Sequence, residues 1–220
     1  MKRNSFSLEL LIVAPWLLVF AYMALSWNQL PARIVTHYDM QGNPDGWQRK
    51  ETAALLAVGL GVLLYVLMRF LPRFDPKGRI QSSNYHKLRF VISFFLAAVF
   101  GGMWYVAGHP IDNQLVQTLL MALVGLMIAG IGNYLTTVKP NWFVGIRTPW
   151  TLESETVWRR THQLGGRLMV AGGLLSTVLA FVIPMVYKIG VVVGIIVAVS
   201  IIPLVYSYVY FRQEKSRQFN

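Results

Sequence analysis

From Asn141 to Gly166 the sequence reads NWFVGIRTPWTLESETVWRRTHQLGG, with three tryptophans, two glutamates, three arginines and a histidine. A glutamate and a histidine together can act as acid and base. Glu155 and His162 are two helical turns apart, so they would need a bridging group, and catalysis is not expected. Thr151, Glu155, Trp158 and His162 fall at offsets 0, 4, 7 and 11, which places them on one stripe of a helix. With Arg147 they could form a fixed polar surface for a partner. The same spacing also suits an amphipathic helix on the inner leaflet, its arginines resting on lipid phosphates.

A second cluster lies in LPARIVTHYDMQGNPDGWQRKE, residues 30–51. His37, Asp39 and Asp45 are metal-ligand types, but their spacing defines no site and a second histidine is missing. Turn capping and surface hydrogen bonds account for them more simply. The functional alternative is a surface facing an external ligand, with Trp47 and Tyr38 as interfacial aromatics. Alternation over residues 34–39 suits an extended segment, and Gly42, Asn43-Pro44 and Asp45-Gly46 are a dense turn signal.

These clusters must be positioned by something largely apolar. The chain has 220 residues, 55% hydrophobic and 13% charged, against about 25% charged in soluble domains. A bilayer is the implied solvent. There is no cysteine, so disulfides, thiolate metal sites and cysteine nucleophiles are excluded. No cofactor or metal is expected. Six runs are long enough to span: Leu8–Trp27, Thr52–Leu71, Leu88–Ala107, Leu115–Leu135, Leu168–Tyr187 and Ile189–Phe211. Pro15, Pro184 and Pro203 lie in or near them as expected kinks. The first run is longer than a signal h-region and lacks a small-x-small cleavage site, so it reads as a retained anchor.

The net charge of +11 reads as an orientation signal rather than as direct nucleic-acid binding. With the N-terminus inside, sixteen Lys and Arg fall on inner segments and four on outer ones. That bias places both termini and the Asn141–Gly166 stretch in the cytoplasm and the 28–51 loop outside. The spans carry few ionisable residues. Glu9, Arg69 and Arg89 sit near span ends, within reach of the interface, which disfavours an ion-coupled transporter. Tyr187-Lys188 leaves a tight hairpin between the last two spans. Gly190 and Gly194 offer a weak GxxxG pattern for another helix.

The fold class expected is an all-α membrane protein: six transmembrane helices, an extended-turn outer loop, and a cytoplasmic amphipathic helix between spans four and five. The division expected is an N-terminal three-span half, residues 1–114 with outer loop 28–51, and a second half, residues 115–220 with motif loop 136–167. In that loop Pro140 stops span four. Trp142 and Phe143 form an apolar edge, and Gly145 breaks the segment. Thr148 or Thr151 caps a helix, and Gly165-Gly166 ends or bends it before span five.

GNYLTTVKPNWFVGIRTPWTLESETVWRRTHQLGG resembles the signature of the SdpI family of membrane immunity proteins. LPARIVTHYDMQGNPDGW resembles the module of unknown function often found ahead of it. The run Gly145-Ile146-Arg147-Thr148-Pro149-Trp150-Thr151 is highly specific. The chain departs from the pattern at Gln163, where a basic residue is expected, and at Thr136-Thr137, where a Pro-Lys type pair is commoner. The resemblance implies a multi-pass protein of the bacterial cell membrane. It would protect against a secreted antimicrobial peptide toxin, and could signal by sequestering a cytoplasmic repressor. Together with the residue reading, the partner-binding residues expected are Asn133, Asn141, Arg147, Thr148, Trp150, Thr151, Glu155, Trp158 and His162, and His37, Asp39, Asp45 and Trp47 are expected to face an outer ligand. The second reading is a membrane enzyme or transporter handling lipid, envelope precursor or a small amphiphile.

Overall fold

The computed structural model describes residues 3–76, 78, 80 and 83–218. Lys2, Lys77 and Arg79, counted above among the inner basic residues, lie outside them. The elements are α1 (Arg3–Ser26), β1 (Arg33–Tyr38), β2 (Pro44–Arg49), α2 (Lys50–Phe70), α3 (Ser83–Gly108), α4 (Asn113–Leu135), α5 (Pro149–Glu153), α6 (Glu155–Val182) and α7 (Met185–Gln218). Six of the helices, all but α5, are long and apolar enough to cross a membrane. The all-α membrane class follows.

The 30–51 loop forms an antiparallel hairpin. Arg33 pairs with Arg49 and Val35 with Trp47, and a register irregularity around His37 sets it opposite Gly46. Its turn is held by the Asp39 carboxylate, which accepts from the Gln41 N–H at 2.9 Å and the Asn43 N–H at 2.8 Å. Gly42 supplies the positive φ. Ile34 on β1 is buried with Met23, Leu30, Ala53, Ala57 and Trp104, so apolar burial ties the hairpin to α1, α2 and α3.

α4 and α6 meet backbone to backbone. A Cβ on Gly166 would lie 2.6 Å from the Gly132 carbonyl oxygen, and one on Gly173 would lie 2.5 Å from that of Gly125. Without a hydrophobic drive between helices in lipid, such close small-residue packing supplies the adhesion. Gly165-Gly166 therefore does not end the helix: α6 runs through them from Glu155 to Val182. The expected separate amphipathic helix is instead the short α5 plus the first turns of α6.

The turn between the last two spans is also displaced. It sits at Ile183-Pro184, because proline holds Ile183 extended (φ −79°, ψ 137°) and α7 begins at Met185. Pro184 thus separates two helices, while Pro15 and Pro203 lie inside α1 and α7. Tyr187-Lys188 is helical, and Lys188 is buried with its ammonium donating to Thr118 Oγ1. A Cβ added to Gly190 or Gly194 would meet nothing within 4 Å, so no described part of this chain packs closely against them.

Glu9, Arg69 and Arg89 do not reach separately for the interface. They converge. The Glu9 carboxylate accepts from Arg89 Nη1 at 2.7 Å and Nη2 at 2.8 Å and from Tyr65 Oη at 3.0 Å, with Arg69 Nε 3.5 Å away. Arg89 is 2% exposed. This network joins α1, α2 and α3 near the end of the bundle opposite the hairpin.

Candidate functional site: the motif loop and its cleft

The loop after α4 is built by Asn141. Its side-chain amide donates to the Lys139 and Val144 carbonyls, each at 2.9 Å. Its Oδ1 accepts from the Phe143 N–H at 2.8 Å and the Val144 N–H at 2.7 Å. All four hydrogen-bond sites of a buried asparagine are filled by one turn of chain, a role few side chains can fill. The turn pushes Trp142 and Phe143 outward, 48% and 37% exposed.

Gly145 does more than break the segment. Its φ is +127°, and a Cβ there would lie 2.5 Å from His162 Nε2 and 3.2 Å from the Trp158 ring. The bare backbone lets the next peptide reach the imidazole: the Ile146 N–H donates to His162 Nε2 at 2.8 Å. His162 Nδ1 lies 2.8 Å from the Trp158 carbonyl. The two contacts together fix a neutral tautomer, with Nδ1–H donating and Nε2 accepting. Trp158 stacks on His162 at 4.0 Å between centroids and donates its indole N–H to the Val138 carbonyl at 3.0 Å.

Thr148 caps α5 rather than Thr151. It forms a capping box in which its hydroxyl accepts from the Thr151 N–H and Thr151 Oγ1 accepts from the Thr148 N–H, at 3.2 and 2.9 Å. Thr151 also donates to the Ile146 carbonyl at 2.9 Å. Trp150 reaches across to α7 and donates its indole N–H to Ser207 Oγ. Arg147 is exposed and turns back to donate Nη1 to the Trp142 carbonyl.

The residues singled out therefore separate. Asn141, Thr148, Thr151, Trp158 and His162 are buried, while Asn133, Arg147 and Glu155 are exposed and Trp150 is half-buried. The four-residue stripe does not survive as a stripe. Ser154 is extended (φ −119°, ψ 124°) and ends α5, so Thr151 belongs to a different helix from the other three. Sequence reasoning misses two contributors. Ser154 caps α6 by accepting from the Val157 N–H. Ser207 receives Trp150; a lone serine in an apolar span gives no local sign of that contact.

Beside this block lies a cleft of ≈ 390 Å³ between the segment following α4 and the start of α6. Lys139, Glu155, Arg159 and Gln163 line it, with Trp158 and His162 in its wall. Glu155 and His162 thus share a cavity, but both imidazole nitrogens are engaged by main chain, which leaves no lone pair for base catalysis.

The outer-loop residues stay on the hairpin. His37 and Asp45 pair with each other, and Trp47 is exposed. The Asn43 N–H bond, the largest of several, holds the Asp39 carboxyl below the usual carboxylate range. Among the described residues no group of three His, Asp or Glu side chains is placed to hold a metal.

Comparison with known proteins covers both regions. Residues 137–207 match the model of the SdpI/YfhL protein family, and residues 11–62 match DUF1648, a domain of unknown function. The chain is 30% identical over 90 residues to the immunity protein SdpI of Bacillus subtilis (strain 168), spanning 41% of this chain and 43% of that protein. The match thus covers less than half the length of that relative. No solved structure gives a significant match. The locked Gly145–Thr151 loop, its cap and its contacts to α6 and α7 all fall inside the region that is similar to the SdpI/YfhL family, and the hairpin falls in the region similar to DUF1648.

Proposed function

We propose that this protein is a multi-pass membrane immunity protein that protects its cell against a secreted antimicrobial toxin. The observation that carries the reading is the family match over the segment that builds the locked motif block, together with the identity to an immunity protein. The basic-residue bias orients it in the cell membrane with both termini and the motif inside and the hairpin outside. The hairpin, with His37, Asp45 and Trp47 displayed, then meets the toxin. The motif block offers Asn133, Arg147 and Glu155 to a cytoplasmic partner such as a repressor, while Asn141, Thr148, Thr151, Trp158 and His162 hold those exposed groups in place. The two halves proposed, residues 1–114 and 115–220, carry one of these surfaces each. Catalysis has no comparable support, since the loop's one histidine has both ring nitrogens occupied.

The test is deletion of the gene in its native host, followed by titration of a panel of secreted membrane-active peptides. At least one peptide should become several-fold more potent, and the wild-type gene in trans should restore resistance. Arg147→Ala should fail to restore it, and Arg147→Lys should fail nearly as badly, because lysine cannot reproduce the planar guanidinium fork. No change in potency for any peptide would overturn the reading. Full rescue by Arg147→Lys would remove Arg147 from the recognition surface.

A further inference from the structure

The cleft beside the motif block shares Val138, Trp158 and His162 with the contacts that lock the loop, and the side chains of Lys139, Arg159 and Gln163 in its lining take no part in them. Two of its walls carry cations. Lys139 projects from the segment after α4 and Arg159 from the second turn of α6, and both are exposed. Glu155 and the amide of Gln163 complete the polar lining. At ≈ 390 Å³ the space is within the range of small-ligand sites.

The position of the cleft says what fills it. Pro140 is in its lining, and two residues on, the same turn displays Trp142 and Phe143 to the outside. Exposed indole and phenyl groups at the end of a spanning bundle rest at headgroup depth. A cleft whose rim sits there opens into the layer of phosphodiesters, not into bulk water. Two cations favour one phosphodiester anion. The Glu155 carboxylate, one turn from Arg159 on α6, repels a bare anion but accepts hydrogen bonds from a headgroup that brings hydroxyl donors.

We infer that the cleft lined by Lys139, Arg159, Glu155 and Gln163 is a binding site for the headgroup of an anionic glycerophospholipid. Lys139 and Arg159 take the phosphodiester, and Glu155 and Gln163 take the headgroup hydroxyls. This goes beyond the immunity reading and does not depend on it. The occupant is a bilayer lipid, so the motif block is seated on the membrane by a specific headgroup as well as by its aromatics.

The test uses the full-length protein in detergent, with retained lipid counted by native mass spectrometry. Phosphatidylglycerol, phosphatidylcholine and inorganic phosphate are offered separately. Phosphatidylglycerol should be retained at one site and phosphatidylcholine should not, and inorganic phosphate alone should not raise the unfolding temperature as phosphatidylglycerol does. Lys139→Gln and Arg159→Gln should each weaken retention about five-fold and together about 25-fold, the scale of one surface cation at an anionic membrane. The control pair Arg160→Gln with Arg212→Gln, exposed cations outside the cleft, should change it less than two-fold. Gln163→Arg adds a cation to the wall and should strengthen retention, which guards against variants that fail only by misfolding. Equal retention of the two lipids, equal stabilisation by inorganic phosphate, or equal loss in the control pair would each overturn the site.

Discussion

Replacing Gly145 by alanine should be among the most costly single-methyl additions this protein can suffer. The added Cβ would stand 2.5 Å from His162 Nε2 and 3.2 Å from the Trp158 ring, at a φ of +127° that L residues rarely adopt. A strained backbone of this kind costs about 1–3 kcal/mol. Overpacking a filled site costs about 1–3 kcal/mol more. If the imidazole moves away to relieve the clash, the Ile146 N–H loses its acceptor, worth about 1–3 kcal/mol when buried. These routes are alternatives in part, so the net loss should be about 3 kcal/mol or slightly more. Gly59→Ala is the matched control. It lies inside α2 with open space where the Cβ would go, and it should be neutral or gain up to about 1 kcal/mol from helix propensity. The assay is unfolding in mixed micelles by titration with a denaturing detergent, followed by tryptophan fluorescence. The double variant Gly145→Ala with His162→Ala should recover the clash component while keeping the backbone strain, so the two substitutions should be non-additive by about 1 kcal/mol or more. If Gly145→Ala unfolds within about 0.5 kcal/mol of Gly59→Ala, a threshold taken from the scatter of neutral surface changes, then the loop is not packed on His162 as described.

Three further outcomes are expected. Arg89→Ala leaves the Glu9 carboxylate with only Tyr65 and the more distant Arg69 and should cost up to about 3 kcal/mol in the same unfolding assay, whereas Arg89→Met combined with Glu9→Leu should restore most of it; equal cost for both would mean that the ion pair itself, and not its compensation, holds α1 to α3. The Asp39 carboxyl is held below its ordinary range by the Asn43 N–H, so its contribution is full above the unfolded value near about pH 4 and is lost as pH falls through the lower folded one. Amide spectra of the hairpin should therefore be constant through neutral pH and lose dispersion only below about pH 4, and Asp39→Ala should abolish the transition; an unchanged transition in that variant would assign it to another group. Single cysteines at Gln41 and Arg160, in a chain with no native cysteine, should react with an impermeant thiol reagent in intact cells at Gln41 only, and the reverse labelling would invert every inside and outside assignment.

The spans are readable in the sequence because bilayer solvation is a composition effect and needs no knowledge of neighbours. Their joints are less so. Tyr187-Lys188 looks like a loop because a lysine in a span is costly, but Thr118 on α4 receives its ammonium, and that contact is not local in sequence. Gly165-Gly166 looks like a break because glycine weakens a helix in water. In lipid the same residues are kept for close approach, and the Gly132 carbonyl 2.6 Å from a Cβ on Gly166 is the reason. The acid and bases at residues 9, 69 and 89 are visible in the sequence, and their meeting is not, since it depends on which faces of three helices turn together. In the motif, capping by Thr148 and the turn at Asn141 follow from local chemistry. The burial of Trp158 and His162 does not, because the apolar side of that segment can equally face lipid or protein.

The division of labour within the motif bears on what the family resemblance can carry. Asn141, Gly145, Thr148, Thr151, Trp158 and His162 direct their hydrogen bonds or their close packing inward, to main chain or to one another. A chain that keeps these residues keeps the shape of the block whatever it recognises. On the proposed function, discrimination between partners would fall to groups left outside, such as Asn133 and Arg147. The block is also fixed to long elements. Trp150 holds it to α7 through Ser207, and its first residues continue α4. At their other ends α4 and α7 meet the hairpin: Gln117 donates to the Asp39 carbonyl at 2.8 Å, and a Cβ on Gly42 would lie 3.2 Å from Met185 Cε. The hairpin and the motif block therefore sit at opposite ends of the same two helices. Spatial continuity is not itself coupling, but it restricts how coupling could run. If a ligand binds the hairpin as proposed, α4 and α7 are the two helices that touch both it and the motif block, and the glycine contacts between α4 and α6 leave almost no slack for α4 to move alone. A signal that moved α7 against the other helices would then have to break the contact of Trp150 on Ser207.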